Sequence, residues 1–433
     1  MGMKELRRRI RQVQRHLRAL GKRSVMVVSS GSEQLRSRDT SFPFRQQSDF
    51  YYLTGSPTPG GTLILRSDSP QCELVVAKRS AHTITWEGPG PDLKRVAREI
   101  GATFTVSDNP KEHIKKQLQG ISHLVHQNTP ETLSTQIAIA LFQLPSSARG
   151  PLPMTLSHSD LVLEPLRLRK DAGEQRALRL AASVTEQSLV GALRALRPGV
   201  TESSLAHEID LGFAAFGGTT AFPTIVGTGP SAAALHHSPG KRCVGREDLV
   251  LIDCGAELDL YCADMTRTFP AAGRFSKTQR ELYQAVLAAQ TASLRSIRSG
   301  VTVTKVYDAA AEILIDFLIA KKIVKGSAKT VKKKGLFKPF FPHGIGHSLG
   351  LDVHDLGQLR PNTSARLESG MVFTVEPGLY FQKAVRGIAP CGIRIEDAVI
   401  VTPSGCKVLT PHVPKEPEEI EDLLAELDAN AQR

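Results

Sequence analysis

The chain has 433 residues, 41% of them hydrophobic and 23% charged, an ordinary globular composition with room for two or more domains and a substantial core. No apolar run nears the roughly 18 residues of a membrane span, and the amino terminus lacks the apolar stretch of a secretory signal. The formal charge of +12 raises nucleic-acid binding, but it comes from the first predicted helix and from the lysines between Lys321 and Lys338, and aromatics are only 5%; a solvated basic face accounts for it better than a nucleic-acid site.

Leu6, Ile10, Val13, Leu17 and Leu20 form a helical stripe that Gly21 ends, so the Arg-rich start reads as a folded helix rather than a mitochondrial presequence. Residues 1–143 then alternate. Val25–Ser30, Thr62–Arg66, Glu73–Ala77 and Thr103–Val106 are predicted strands, and Pro91–Ile100 and Pro110–Leu118 predicted helices. That is a small α/β domain with a modest sheet. Pro145, Pro151, Pro153 and Pro165, with Ser146, Ser147 and Gly150, mark a connection. The expected boundary is residue 165, giving domains 1–165 and 166–433. The six cysteines (72, 243, 254, 262, 391, 406) form no CxxC pair, which suits a reduced, cytoplasmic protein.

The second part repeats itself. A helix from about Gly173 ends at Arg197-Pro198-Gly199 and Val200-Thr201 opens another; a helix from about Lys277 ends at Arg298-Ser299-Gly300 and Val301-Thr302 opens another. Strand-rich sequence follows each pair. Two helix–helix–sheet units predict a pseudo-two-fold α+β arrangement, with a curved, antiparallel-rich sheet inside and a ligand cleft between the halves. The tail after Lys415 is acidic and reads as an exposed helix.

Within the first unit, Val250–Asp253 and Leu260–Thr268 bracket a polar turn and predict a hairpin. With the turn centred on Leu258-Asp259, Asp253 and Asp264 face each other, Cβ atoms about 4.5–5.5 Å apart. Carboxylates that close stay charged only with something positive between them, such as two divalent ions about 3.5–4 Å apart. In PHGIGHSLGLDVHD, His343, His347 and His354 are interleaved with Gly344, Gly346 and Gly350, and Gly357 follows; such glycine density favours a loop or strand lining a site over a helix. Glu376 precedes Pro377-Gly378 at the end of an apolar run, and Glu396 and Asp397 interrupt another, with Arg394 on the same face as Glu396 by strand alternation. Each of these alone has an ordinary structural use as a cap, a turn acid, a satisfied core histidine or an isolated ion pair. Two Asp, two Glu and one His together are the oxygen-rich donor set of a dinuclear manganese, cobalt or zinc centre.

LVLIDCGAELDLYCADMTRTFP, HGIGHSLGLDVHD, TVEPGLY and GIRIED resemble, in order, the ligand-bearing segments of the proline-specific metallopeptidases with the pita-bread fold, most closely the Xaa-Pro aminopeptidase (aminopeptidase P) branch. RSRDTSFPFRQQSDFYYLTG resembles that branch's N-terminal domain. The resemblance covers nearly the whole chain. It implies hydrolysis of the bond before a proline at position two, releasing the first residue. It implies metal ligands at Asp253, Asp264, His347, Glu376 and Glu396, with Asp264 and Glu396 bridging two ions, manganese foremost. It implies that Glu376 handles the proton, that His236, His343 and His354 act around the reaction centre, and that Arg394 orients the carboxylates. Trp86 and Asp39 match positions that reach a neighbouring subunit in oligomeric relatives, implying a homodimer or homotetramer. The Lys321–Lys338 stretch departs from the family pattern and could reshape the cleft rim. The expected partners are peptides, with no nucleic acid and no membrane. Alternatives from the same resemblance are an Xaa-Pro dipeptidase (prolidase) and a pita-bread module that only binds peptide or protein.

Overall fold

A computed structural model describes residues 2–127, 132–143, 155–357, 359 and 365–431. It divides into two compact units, Met1–Arg167 and Leu168–Arg433. The prolines, serines and glycine between 145 and 153 that mark a connection in sequence lie outside the described residues.

In the first unit a six-stranded mixed sheet runs in the order Thr103–Ser107, Glu73–Ala77, Thr62–Arg66, Ser24–Ser29, His123–His126, Thr155–His158. Its strands are short β-branched and aliphatic runs, and Val25, Val27, Ile64, Val75 and Leu124 bury one face as a core. The first helix, Met3–Leu20, buries Leu6, Ile10, Val13 and Leu17 and ends at Gly21, as its stripe predicts. The buried Arg9 guanidinium donates to the Tyr52 carbonyl at 2.9 Å and lies 4.0 Å from the centre of that ring.

The second unit carries the repeat. Helices Ala172–Leu193 and Glu202–Ala215 precede a three-stranded antiparallel sheet of Ile225–Thr228, Leu249–Cys254 and Met265–Pro270. Helices Lys277–Ser296 and Val303–Ala320 precede a second one of Val372–Val375, Asp397–Val401 and Cys406–Val408. The helix starts correspond chemically. Asp171 and Ser276 open the first helix of each pair with capping boxes to Glu174 and Gln279, while the Thr201 and Thr302 hydroxyls accept from the N–H of Ser204 and Lys305. One hydrophobic core spans both halves. Gly378–Phe381 and Cys391–Arg394 form a further antiparallel pair, so the acids at 376 and 396 sit where one strand breaks and the next begins.

Two expectations need correction. The hairpin register pairs Asp253 with Thr266 and Glu257 with Cys262, which centres the turn on Asp259-Leu260. Both turn residues have positive φ, 49° and 64°, as a two-residue type I′ turn requires. Asp264 therefore lies two residues nearer the turn than Asp253's partner, and an even shift keeps both acids on one face. The acidic tail does form a helix, Pro417–Ala431, but it is not wholly exposed: Ile420, Leu424 and Leu427 bury into the core, and Arg280 pairs with Glu421 at 2.6 Å.

Candidate metal centre

The inner hairpin delivers two carboxylates. Asp253 is the fifth residue of the Leu249–Cys254 strand, and Asp264 stands just before the Met265–Pro270 strand; both are buried. The strands close tightly because residue 255 is glycine: a Cβ there would lie 1.9 Å from the Ala263 carbonyl oxygen. The 343–355 segment is irregular, as its glycines predict, and is stitched to the Val372–Val375 strand. Thr374 N–H donates to the His347 carbonyl at 2.9 Å, and His347 N–H donates to the Thr374 hydroxyl at 3.1 Å. Gly346 permits that approach, since a Cβ would meet the Thr374 carbonyl oxygen at 1.9 Å.

These elements bring the side chains together. Ligand atoms of Asp264, His347 and Glu396 all lie within 4.8 Å of one another. His347 Nε2 is 3.4 Å from Asp264 Oδ2 and 3.8 Å from Glu376 Oε1. Arg394 Nη2 donates to Asp253 Oδ2 at 2.6 Å, so the arginine pairs with Asp253 rather than forming the isolated Arg394–Glu396 pair the strand alone would suggest. Thr266, opposite Asp253, links the two. Its hydroxyl accepts from Arg394 Nε at 3.0 Å and donates to Glu396 Oε2 at 2.6 Å. His343 Nδ1 lies 3.9 Å from Glu376 Oε2, and the His354 ring meets the His347 ring edge-on with centroids 4.2 Å apart. His236 and His354 are exposed. In the first unit, Asp39 and Trp86 are exposed, and the helix that carries Trp86 buries none of its residues.

Sequence reasoning missed Thr266 and Tyr380. Tyr380, 2% exposed, has its hydroxyl 2.9 Å from His343 Nε2 and accepts from Arg394 Nη1 at 3.0 Å; burial holds it up at about 12, so the phenol stays protonated. Alternation from Glu376 through Gly378 would have put Tyr380 on the same face.

The electrostatics are those of crowded anions. Burial raises Asp264 to about 7, with Asp253 adding to the rise and His347 opposing it. Burial also raises Glu396 well above the usual carboxylate range, and Asp264, Glu376 and Asp253 push it further. For His347 burial acts downward, but Asp264 and Glu376 outweigh it and raise the imidazole to about 9. Asp253 Oδ1 and Glu396 Oε1 are buried and meet no hydrogen-bond donor among the described residues. Four carboxylates share His347 and Arg394 as their cations, and two buried oxygens have nothing to accept. This donor set fits hard divalent cations, which would neutralise the charge and use the orphaned oxygens.

The model of metallopeptidase family M24 matches residues 176–403, and that of the aminopeptidase P N-terminal domain matches residues 8–126. The Xaa-Pro aminopeptidase of Escherichia coli is 34% identical, the match covering 93% of each chain. Among solved structures, aminopeptidase P from E. coli in a low-pH form superposes with a TM-score of 0.91 at 32% identity, covering 99% of both chains. A zinc-substituted E. coli aminopeptidase P in complex with product gives 0.90 at 32% identity, with the same coverage.

Proposed function

Because the chain belongs to metallopeptidase family M24, as a metallo-aminopeptidase with an aminopeptidase P N-terminal domain, we propose that it hydrolyses the Xaa-Pro bond of peptides and releases their first residue at a dinuclear centre. The observation that carries the reading is the convergence of Asp264, His347 and Glu396 within 4.8 Å beside two orphaned carboxylate oxygens. Asp253, Asp264, His347, Glu376 and Glu396 would hold two divalent ions, and their oxygen-rich character favours manganese, with cobalt or zinc as alternatives. When bound, such ions supply Lewis acidity, which makes water nucleophilic near neutral pH and polarises a carbonyl.

The chain's own groups do the rest. Glu376 is partly exposed and its backbone N–H is fixed to the Ile345 carbonyl at 2.9 Å. In this reading it takes the proton of the attacking water and hands it to the leaving nitrogen. His343, anchored between the Gly344 carbonyl at 2.8 Å and the Tyr380 hydroxyl at 2.9 Å, can present only a fixed edge. His236 and His354, being exposed, are free to reach the substrate and stabilise the tetrahedral intermediate. Arg394 and Thr266 keep Asp253 and Glu396 aimed inward. A proline leaving group offers no N–H, so selection for it rests on pocket shape around the ring.

Six free thiols suit a cytoplasmic setting, and Trp86, 76% exposed, suits a contact with a second copy in a dimer or tetramer. The deciding experiment is a peptide panel of Xaa-Pro, Xaa-Pro-Xaa and Xaa-Ala-Xaa with added manganese, cobalt or zinc. Release of the first residue from Xaa-Pro-Xaa alone or with Xaa-Pro supports the reading. Cleavage confined to Xaa-Pro would make the protein a dipeptidase, and cleavage of Xaa-Ala-Xaa at an equal rate would remove the proline requirement.

A further inference from the structure

His236 projects from a loop that leaves the sheet at Thr228, makes a short 3-10 turn over Gly229–Ala233 and returns past Gly240 to Cys243. Ala232 and the partly buried Leu235 of this loop pack in one apolar cluster with Tyr380, whose hydroxyl lies 2.9 Å from His343 Nε2, so the loop that carries His236 borders the site. His236 itself is exposed and makes no side-chain hydrogen bond among the described residues, so its own contacts do not fix it.

The holding group lies on the other side of the loop. Glu202 is the first residue of the Glu202–Ala215 helix and is 0% exposed. Its Oε1 accepts from the Thr228 N–H at 3.0 Å, on the outgoing arm. Its Oε2 accepts from His237 Nε2 at 2.8 Å and from the Gly240 N–H at 3.2 Å, on the returning arm. The helix's own start is closed by the same arm: Glu202 N–H donates to the Arg242 carbonyl at 3.0 Å and Ser203 N–H to the Gly240 carbonyl at 3.1 Å. On the far side the turn is pressed against the strand pair that ends at Arg394. A Cβ at Gly392 would lie 1.8 Å from the Ala232 carbonyl oxygen, and Gln382 Nε2 donates to the Ala233 carbonyl at 2.6 Å.

We infer that Glu202 is the positioning residue for His236: one buried carboxylate clasps both arms of the 228–240 loop, and His237 is the handle by which it sets the neighbouring imidazole. Charge-assisted hydrogen bonds are short and strong and reinforce one another, so a buried carboxylate with three donors on one loop pins both arms. The two adjacent histidines thus divide the work, His237 facing inward to the clasp and His236 outward to the cleft.

The inference rests on the proposed activity for one of its two readouts. In the metal-loaded full-length protein, assayed on an Xaa-Pro-Xaa peptide, His237→Phe should lower kcat about tenfold with KM and bound metal within about twofold, and His237→Gln, which keeps a donor, should recover most of it. The His236→Ala/His237→Phe double variant should be no slower than His236→Ala alone, because the handle acts only through that ring. Wild-type kcat in His237→Phe, or a further tenfold loss in the double variant, overturns the assignment. The second readout needs no activity. In Glu202→Gln and His237→Phe, amide hydrogen exchange at Thr228 and Gly240 should quicken by about tenfold or more while the Leu249–Cys254 strand keeps its protection. If the wild-type protein cleaves no Xaa-Pro peptide, the functional reading fails and the exchange data still decide the clasp: unchanged protection in both variants overturns it.

Discussion

Glu396 and Asp397 are neighbours in sequence, both buried, and their surroundings are opposite. Asp397 accepts from Arg267 Nη2 at 2.8 Å, Thr410 Oγ1 at 2.9 Å, Gln290 Nε2 at 2.8 Å and Lys415 Nζ at 2.5 Å. Burial alone would raise it, but Arg267 and Lys415 pull it down to about 2. Glu396, on the other face, has one oxygen on the Thr266 hydroxyl and one with no donor, and it is raised well above the carboxylate range. The chain supplies its own cations to one carboxylate and leaves its neighbour among three more acids. Burial therefore does not separate a structural acid from a proposed metal ligand; what separates them is whether the fold already contains the counter-charge.

The strongest way to break the comparison is to remove a member of the unsatisfied set. Asp264→Ala should lose bound metal and take activity to background while remaining folded; activity near that of wild type in a peptide assay contradicts the ligand assignment. Next come substitutions in the two neighbouring acids. Asp397→Asn leaves the buried Arg267 without its charged partner and should cost about 3–5 kcal/mol in denaturant unfolding. Glu396→Gln removes repulsion and should leave the chelated protein at least as stable as wild type. Equal losses from both would mean that the two sites do not differ as described.

The pH dependence follows with opposite signs. Asp397 sits at about 2 folded against an ordinary value of 3.8, so its stabilisation is present above about 4 and is lost as pH falls through 2. Asp264, at about 7 folded against 3.8, stabilises below about 4 and loses that contribution as pH rises through 7. Melting of chelated protein should therefore decline between about pH 4 and 7, and added manganese should reverse the decline. Metal binding should release protons in the same range. A flat profile without metal would count against the anionic crowding. The smallest effect is expected at the surface, where Lys332 pairs with Asp308 at 3.0 Å and Glu312 at 3.1 Å, all partly exposed. Lys332→Ala should cost less than about 1 kcal/mol and vanish in high salt.

Much of this was readable from the chain because the signals are local. The stripe from Leu6 to Leu17, the helix openings at Thr201 and Thr302, and the glycines between His343 and Gly350 act over one turn or one strand. The acids that converge were visible as polar interruptions of apolar strands. The hairpin register was not, because it depends on Asp259 and Leu260 both taking positive φ, and leucine gives no hint of that. Asp397 and Glu396 look alike in GIRIED, since Arg267, Gln290 and Lys415 reach Asp397 from distant positions. Glu202 reads as an ordinary first-turn acid, and only the return of the loop to Gly240 reveals its second use. The buried face of the C-terminal helix was hidden by its many acids.

Cations would complete a site that the chain leaves crowded with carboxylates, and stoichiometry tests that most directly. Chelated protein should be titrated with manganese by calorimetry and its bound metal measured after exchange into metal-free buffer, alongside Asp264→Ala and Glu396→Gln. Two equivalents per wild-type chain, with the loss of one or both in each variant, is the predicted result. Wild-type protein that takes up no manganese, cobalt or zinc yet cleaves an Xaa-Pro peptide would contradict it.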